Sequence, residues 1–328
     1  MNPTIETREV ISVTVGGNCL WGTYHRSHFA RRSSSASSGE ANRVGILFLN
    51  PGFLPRASPS AVYWANSFAK CGYPAFRFDL PGLGDSEGDL PDKMLDFVSA
   101  GGYASSLSAI IKQLVERFSL SGVVIMGLCA GAVTALFTAA ITKECSGVVL
   151  MDPYFNVPPD RLKIQNELSQ WATWTRLGAL ASEIYHRFRH VGLLLTGNRL
   201  PRNANFPLLH CWKQLTSAGT PILVLKAPAV KSQGLKPRTG VFDYLAYLQA
   251  SSGRRSRVAV HFLEGTNHSF ADHEGCRAVR HHTVRWLKDC FPPVTSRKIA
   301  VLKKPAIEQA ETGLNSYAPA DQLALHRH

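Results

Sequence analysis

Hydrophobic residues follow two patterns along the chain, and together they predict alternating strands and helices. Apolar and polar residues alternate over 9–25 around a Gly-Gly-Asn turn, which is typical of a β-hairpin. Short, mostly apolar runs predict strands buried on both faces, and they lie at 43–50, 73–80, 122–126, 147–151, 221–227 and 257–263. Segments with helical spacing lie between them, at 58–71, 95–118, 131–142, 242–250 and 273–290. This alternation predicts an α/β fold with a mostly parallel, doubly wound sheet and helices on both faces.

The alternation is interrupted between residues 154 and 219, where amphipathic helical segments rich in aromatic residues replace it. We interpret this stretch as a helical lid inserted after the sixth strand, which divides the core into 1–153 and 220–292. Trp171, Trp174 and Trp212 are candidates to line an apolar substrate pocket, and simple packing onto the sheet is the alternative. Residues 293–328 carry little hydrophobic pattern and are predicted to form a flexible tail.

Composition limits the class of protein. The chain has 328 residues, of which 45% are hydrophobic and 18% charged, so a wholly disordered chain is excluded. Seven scattered cysteines without a Cys-x-x-Cys pair argue against a disulfide framework or a zinc site. The first residues lack the basic start and apolar run of a signal peptide, and we therefore expect a cytoplasmic protein.

Two features raise the question of a membrane or a nucleic-acid partner. Residues 121–141 carry no charge, but their glycines and strand-like first half favour a strand, a turn and a buried helix over a membrane span. The net charge is +13, but the basic residues are spread along the chain without a recognition motif. We expect neither a membrane span nor a nucleic-acid partner.

The strongest chemical signal is the segment GLCAG at 127–131, which follows a predicted strand and precedes a predicted helix. A nucleophile on such a strand-to-helix elbow needs small neighbours because its backbone is strained and closely packed. The N-terminus of the following helix favours a thiolate. Cys129 is therefore the candidate nucleophile, with a small buried cysteine in a glycine-rich turn as the simpler interpretation.

Two further groups complete the candidate site. His268 lies in the loop after the last predicted strand, from which a histidine can reach the elbow at the carboxyl edge of the sheet, and it is the candidate base. A histidine of an ordinary surface loop is the alternative. The backbone N–H groups of Ala130 and Phe53 are the candidate oxyanion donors, since one follows the nucleophile and the other lies in the loop after the strand 43–50.

These motifs occur in an order that resembles a known family. The segments are NPGFLPRASPS, FRFDLPGLGDSEG, GLCAGA, MDPY, FDYL and GTNHSF. Over residues 9–292 the chain resembles the α/β-hydrolase fold, and more narrowly the exosortase-associated hydrolases with a cysteine elbow. The elbow and first-loop motifs are specific, whereas the insertion matches little. Dienelactone hydrolases and polyhydroxyalkanoate synthases are similar only around the cysteine.

The resemblance implies an acid directly after the strand that ends at residue 227, and the chain departs from that pattern. No carboxylate occurs there before Asp243, and Thr239 occupies the expected position. Asp152, after the strand that precedes the insertion, is the slightly preferred acid, because some hydrolases of this fold use that position. Asp243 is the alternate acid. Helix capping is the simpler role for both. The aspartates of DLPGLGDS are interpreted as structural.

The sequence thus predicts a hydrolase of a carboxylic ester, lactone or thioester. Cys129 would attack the carbonyl carbon and His268 would transfer the proton. No metal and no organic cofactor is expected. Because basic residues outnumber acidic ones over 154–219, one hypothesis is an anionic small-molecule acyl substrate, or one carried on coenzyme A or an acyl carrier protein. Two alternatives stay open: an acyltransferase with the same cysteine, and a homologue that binds a ligand without catalysis.

Overall fold

Strands and helices alternate along the chain much as the hydrophobic pattern predicts. The computed structural model describes residues 8–27, 43–51, 54–157, 200–201, 203–228, 242–253 and 256–293. The strands in these ranges are β1 (Arg8–Val15), β2 (Asn18–His25), β3 (Val44–Leu49), β4 (Ala75–Phe78), β5 (Gly122–Leu128), β6 (Cys145–Met151), β7 (Ile222–Lys226) and β8 (Val258–Phe262). The helices are α1 (Pro59–Lys70), α2 (Met94–Ser99), α3 (Ala104–Phe118), α4 (Ala130–Ile141), α5 (Phe206–Ser217), α6 (Tyr244–Ser251) and α7 (His273–Cys290).

The strands form a single eight-stranded sheet in the order β1-β2-β4-β3-β5-β6-β7-β8. The β1–β2 and β2–β4 pairs are antiparallel, and the remaining pairs are parallel. The predicted hairpin and the mostly parallel sheet are thereby confirmed. Because β5, β6, β7 and β8 are neighbours that run in one direction, the residues that follow them meet at one edge of the sheet.

Helices cover both faces of this sheet. Alternate residues of β5 point to opposite sides: Val123 and Ile125 belong to the hydrophobic cluster that includes α3, α4, α5 and α6, whereas Val124 and Met126 belong to the cluster with α1 and α7. A strand buried on both faces must be apolar at every position, which explains the continuous apolar runs. The uncharged segment 121–141 consists of β5 and α4, and no helix among the described residues is long and apolar enough to cross a membrane.

The single helix predicted over 95–118 is wrong, because α2 and α3 are separate helices. Gly101 lies between them with φ of 78°, a left-handed conformation that glycine adopts without strain. Its N–H group bonds to the carbonyl of Val98 and ends α2. A Cβ at Gly101 would lie 3.0 Å from the ring of Phe137, so this turn also lets α4 pack closely.

The described part of the predicted lid packs into the core. Helix α5 buries Leu208, Leu209, Trp212 and Leu215, and it joins the cluster on the α4 side of the sheet. The indole of Trp212 is 1% exposed and packs edge-on against Phe155. Trp212 thus belongs to the core cluster, in agreement with the alternative of packing onto the sheet. Trp171, Trp174 and most of the predicted lid lie outside the described residues, as does most of the predicted tail.

A buried polar network connects β2, β4 and α1. Nδ1 of His25 bonds to Oδ1 of Asn66 at 2.8 Å, and Nε2 accepts a hydrogen bond from Nε of Arg77 at 3.0 Å. Both ring nitrogens are therefore satisfied in the neutral tautomer with its proton on Nδ1, and protonation of Nε2 would break the bond from Arg77. Burial, with the charge of Arg77, lowers the pKa of His25 to about 4.

Replacing His25 with glutamine tests this network through the pH dependence of stability. The pKa of His25 in the folded state lies below its unfolded value of 6.5. Between pH 6.5 and 4, His25 is therefore protonated in the unfolded chain and neutral in the folded chain, so stability falls as the pH falls. The wild type should lose about 3 kcal/mol more unfolding free energy than His25→Gln over this range. Urea unfolding at several pH values measures it. The control variant His210→Gln, at an exposed position, should show the same pH dependence of the unfolding free energy as the wild type. If this dependence is the same for the wild type and both variants, the assignment is contradicted.

Candidate active site

The candidate nucleophile occupies a strained turn between β5 and α4. Cys129 has φ of 54° and ψ of −113°, an unusual conformation for a residue other than glycine. Its N–H group bonds to the carbonyl of Met151 at 2.9 Å, which continues the β5–β6 ladder by one residue. Its own carbonyl accepts from the N–H of Ala132 at 3.0 Å, which begins the helix. Bonds on both sides thus hold the strained residue in place.

The elbow requires glycine on its helical side. A Cβ at Gly131 would lie 2.4 Å from the carbonyl oxygen of Leu49 and 2.7 Å from that of Asn50. Backbone atoms at the end of β3 therefore leave no room for a side chain. This close approach places the first turn of α4 beside the loop that follows β3, which is where an oxyanion donor is predicted.

His268 lies in a well-ordered loop between β8 and α7. Oγ1 of Thr266 donates to the carbonyl of Leu263 at 2.7 Å, and Phe270 anchors the other end as a fully buried ring with φ of 49°. Nδ1 of His268 forms a hydrogen bond to the Oδ2 atom of Asp152, and Cys129 is the other side chain that acts on the pKa of the histidine. The histidine side chain is 57% exposed, so this group is open to solvent.

Asp152 follows β6 directly, in a left-handed conformation with φ of 46°. Its N–H group bonds to the carbonyl of Leu225 at 2.8 Å, which ties the turn to the neighbouring strand β7. The carboxylate is 9% exposed and has two partners: Oδ2 bonds to His268, and Oδ1 bonds to Nζ of Lys226. Structure therefore brings Cys129, His268 and Asp152 together at the carboxyl edge of the sheet.

The protonation states follow from these contacts. Burial alone would raise the pKa of the Asp152 carboxyl, but the hydrogen bonds from His268 and Lys226 outweigh it and hold the pKa below its ordinary value. The hydrogen bond to Asp152, followed by that to Cys129, raises the pKa of His268 to about 10 against the opposing effect of burial. Asp152 therefore favours the protonated form of His268.

Asp243, the alternate acid, has a different role in the structure. The carboxylate of Asp243 accepts a hydrogen bond from the N–H of Ala246 at 3.0 Å and caps helix α6. Capping is the ordinary function of an aspartate at this position. The groups that act on His268 are Asp152 and Cys129, and Asp243 is not one of them. Thr239, at the position where the resemblance implies an acid, lies outside the described residues.

The candidate oxyanion donors are only partly described. Ala130 is the first residue of α4, where a backbone N–H has no acceptor within the helix, and none is found for it elsewhere in the described ranges. Phe53 lies outside them. The residues around it are closed into a loop by Asn50, whose Nδ2 donates to the carbonyl of Pro55 at 2.6 Å and whose Oδ1 accepts from Oγ of Ser58 at 3.0 Å.

Buried charges fasten this loop to the next strand. The guanidinium of Arg56 bonds to the carboxylate of Asp79, and its N–H group donates to Oδ1 of the same residue at 2.5 Å. A second guanidinium nitrogen bonds to Asp85 at 2.7 Å. The structural role predicted for these two aspartates is confirmed. Their contribution to the site is indirect, because they hold the segment that follows the predicted oxyanion donor.

Sequence reasoning missed two residues beside the site. Lys226 is not among the predicted site residues, but its ammonium is bound to Asp152. The available signal was a lysine at the carboxyl end of an otherwise apolar strand.

Tyr154 lies near the elbow: burial, together with the charge of Cys129, raises the pKa of its phenol. No group of three or more potential metal ligands occurs among the residues that the structure describes.

Comparison with known proteins agrees with this architecture. Residues 45–250 match the sequence model of the alpha/beta hydrolase fold. An esterase from Pyrococcus furiosus superposes with a TM-score of 0.55 at 12% identity, over 87% of this chain and 91% of that one. The α/β-hydrolase GrgF from Penicillium sp. sh18 superposes with a TM-score of 0.53 at 17% identity, over 87% of this chain and 99% of that one. At these identities the likeness concerns the fold. A search of curated protein sequences found no match.

The elbow packing predicts a reversal of the usual effect of glycine replacement in a helix. Alanine normally stabilises a helical position by about 1 kcal/mol relative to glycine. Gly131→Ala should instead lower the unfolding free energy by about 3 kcal/mol, because the new methyl group meets two backbone carbonyls. Gly253→Ala is the matched control, since nothing lies within 4 Å of its Cβ position. Chemical denaturation measures both, and a stable Gly131→Ala would contradict the described packing.

Proposed function

We propose that this chain, which belongs to the α/β-hydrolase fold family, hydrolyses a carboxylic ester, lactone or thioester with Cys129 as its nucleophile. The observation that carries the proposal is the position of one histidine beside both partners: Nδ1 of His268 bonds to Asp152, and Cys129 is the second side chain that raises the pKa of the same ring. A thiol, a base and an acid connected in this way form the arrangement that activates a nucleophile for acyl transfer.

The reaction begins when His268 takes the proton of Cys129, which gives a thiolate–imidazolium pair. Sγ of Cys129 forms a bond to the substrate carbonyl carbon, and the π electrons move to the carbonyl oxygen. The N–H groups of Ala130 and Phe53 stabilise that oxyanion. The bond to the leaving oxygen or sulfur then breaks, and the leaving group takes the proton from Nε2 of His268. An acyl–cysteine thioester remains.

Water completes the cycle. It attacks the acyl–cysteine carbonyl and passes one proton to the now neutral His268. The C–S bond breaks, and the carboxylic acid product leaves with the thiolate–imidazolium pair restored. Throughout both steps Asp152 keeps Nδ1 protonated and the ring correctly oriented.

The cysteine at the elbow also supports placement of the chain with the exosortase-associated hydrolases that it resembles. An anionic acyl substrate, or one carried on coenzyme A or an acyl carrier protein, agrees with the net charge of +13. Lys226 does not contribute a free cation to such binding, because its ammonium is occupied by Asp152.

Thiol labelling tests the nucleophile. A limiting alkylating probe should modify Cys129 faster than the other cysteines. In His268→Ala this selectivity should fall, because the base proposed to take the thiol proton is gone. Intact mass and peptide mapping at pH 5 to 9 measure both. Cys145 is an internal control, since burial raises the pKa of its thiol to about 12. Labelling of Cys129 no faster than of the other cysteines would remove the nucleophile from the proposal.

Two asparagine substitutions separate the candidate acids. Asp152→Asn should lower kcat/KM for a p-nitrophenyl ester by about 10²-fold or more, because an amide stabilises neither the imidazolium nor the correct tautomer. Asp243→Asn should leave kcat/KM nearly unchanged, because asparagine is an equally good helix cap. Both variants keep the size of the side chain. Loss of activity in Asp243→Asn with retention in Asp152→Asn would overturn the assignment.

A further inference from the structure

A lysine lies at the end of β7, beside the acid of the proposed site. Lys226 is the last residue of the strand, and its Nζ atom bonds to Oδ1 of Asp152. His268 bonds to the other oxygen of the same carboxylate, Oδ2. One carboxylate is therefore shared between an ammonium and an imidazole, each with its own oxygen.

Backbone hydrogen bonds fix this arrangement from two sides. The N–H of Asp152 bonds to the carbonyl of Leu225 at 2.8 Å, and the N–H of Leu263 bonds to the carbonyl of Lys226 at 2.9 Å. The backbone of β7 is thus tied both to the turn that carries the acid and to the start of the loop that carries His268. The lysine side chain is only 33% exposed, which limits the positions that its ammonium can take.

We propose that Lys226 is a positioning residue of the proposed site: by occupying one oxygen of Asp152 it orients the carboxylate and limits the negative charge that His268 experiences. This inference rests on the proposed function, and it adds a fourth residue to the Cys129–His268–Asp152 group. Both oxygens of the Asp152 carboxylate have a partner, so the carboxylate is held on two sides. With one oxygen held, the other remains directed at Nδ1 of His268.

Removal of the Lys226 ammonium should raise the pKa of His268. In the described ranges, the charged and titratable groups that act on Asp152 are His268 and Lys226, and those that act on His268 are Asp152 and Cys129. Removal of the Lys226 ammonium leaves the full carboxylate charge facing His268 and takes away a repelling cation. Both changes favour the imidazolium, so His268 should keep its proton to higher pH.

Lys226→Met, Lys226→Arg and the exposed Lys213→Met test the proposal. In Lys226→Met, kcat for a neutral p-nitrophenyl ester should fall by up to about a hundredfold with little change in KM, as expected for a positioning defect. The alkaline limb of kcat/KM should move up by about one pH unit, because leaving-group protonation then persists to higher pH. Lys226→Arg should restore both toward the wild type, and Lys213→Met should change neither. Cys129→Ala provides the background rate.

A second measurement does not require turnover. Titration of the His268 ring by NMR should show the same upward shift in Lys226→Met and none in Lys226→Arg or Lys213→Met. Circular dichroism and thermal unfolding verify that each variant is folded. A purely structural ion pair would lower stability and kcat without moving the titration, and that result would overturn the proposal. So would an increase in KM confined to anionic esters, which would make Lys226 a substrate-binding residue.

The two proposals fail in different ways. If Cys129 proves unreactive in the wild type, the proposed function is lost, while the His268 titration still decides whether Lys226 controls the histidine. If Cys129 is reactive and esters are hydrolysed, but Lys226→Met leaves the alkaline limb and the titration unchanged, the role of Lys226 alone is refuted.

Discussion

The close approach of helix α4 to the end of strand β3 is the constraint on which the rest of the site depends. With no room for a side chain at Gly131, the first turn of the helix packs against two backbone carbonyls, and Cys129 is forced into a left-handed turn above the sheet. The same contact brings the loop after β3 next to Ala130. The turn that carries the proposed nucleophile and the start of the segment after β3 are therefore held together by one packing contact, and the ion pair between Arg56 and Asp79 fastens the same segment to the end of β4.

The proposed acid, Asp152, follows β6, one strand before the position that the family resemblance implies. Strands β6, β7 and β8 are neighbours, so a carboxylate after β6 and a histidine after β8 can meet across the end of β7. The residue at that end then lies between them, and here it is a lysine. An acid after β6 thus necessarily places the last residue of β7 against the carboxylate, whereas an acid on β7 itself would have no such neighbour.

The sequence predicts much of this arrangement, for reasons that are local. Apolar runs predict buried strands because parallel strands are covered on both faces, and GLCAG predicts the elbow because its geometry admits few residue types. The two acids could not be separated from sequence alone, because aspartate after a strand and aspartate before a helix both have capping roles. The burial of Trp212 and the contact of Lys226 with Asp152 depend on which elements become neighbours in space. An amphipathic helix such as α5 packs on a lid or on the core with the same pattern, and only the tertiary structure decides.

The raised pKa of His268 connects the cysteine to the rest of the site. A histidine that activates a serine must be neutral at working pH, because it has to accept the hydroxyl proton. A histidine whose pKa is raised to about 10 by its carboxylate partner holds its proton more tightly. It therefore suits a thiol nucleophile better than a hydroxyl, because a thiol ionises more easily. The same histidine must still release its proton to the leaving group, and an unshared buried carboxylate would hold that proton more tightly. A lysine that shares Asp152 weakens this hold. The cysteine at the elbow and the lysine at the end of β7 are thus connected in the proposed site, because both act on the proton of His268.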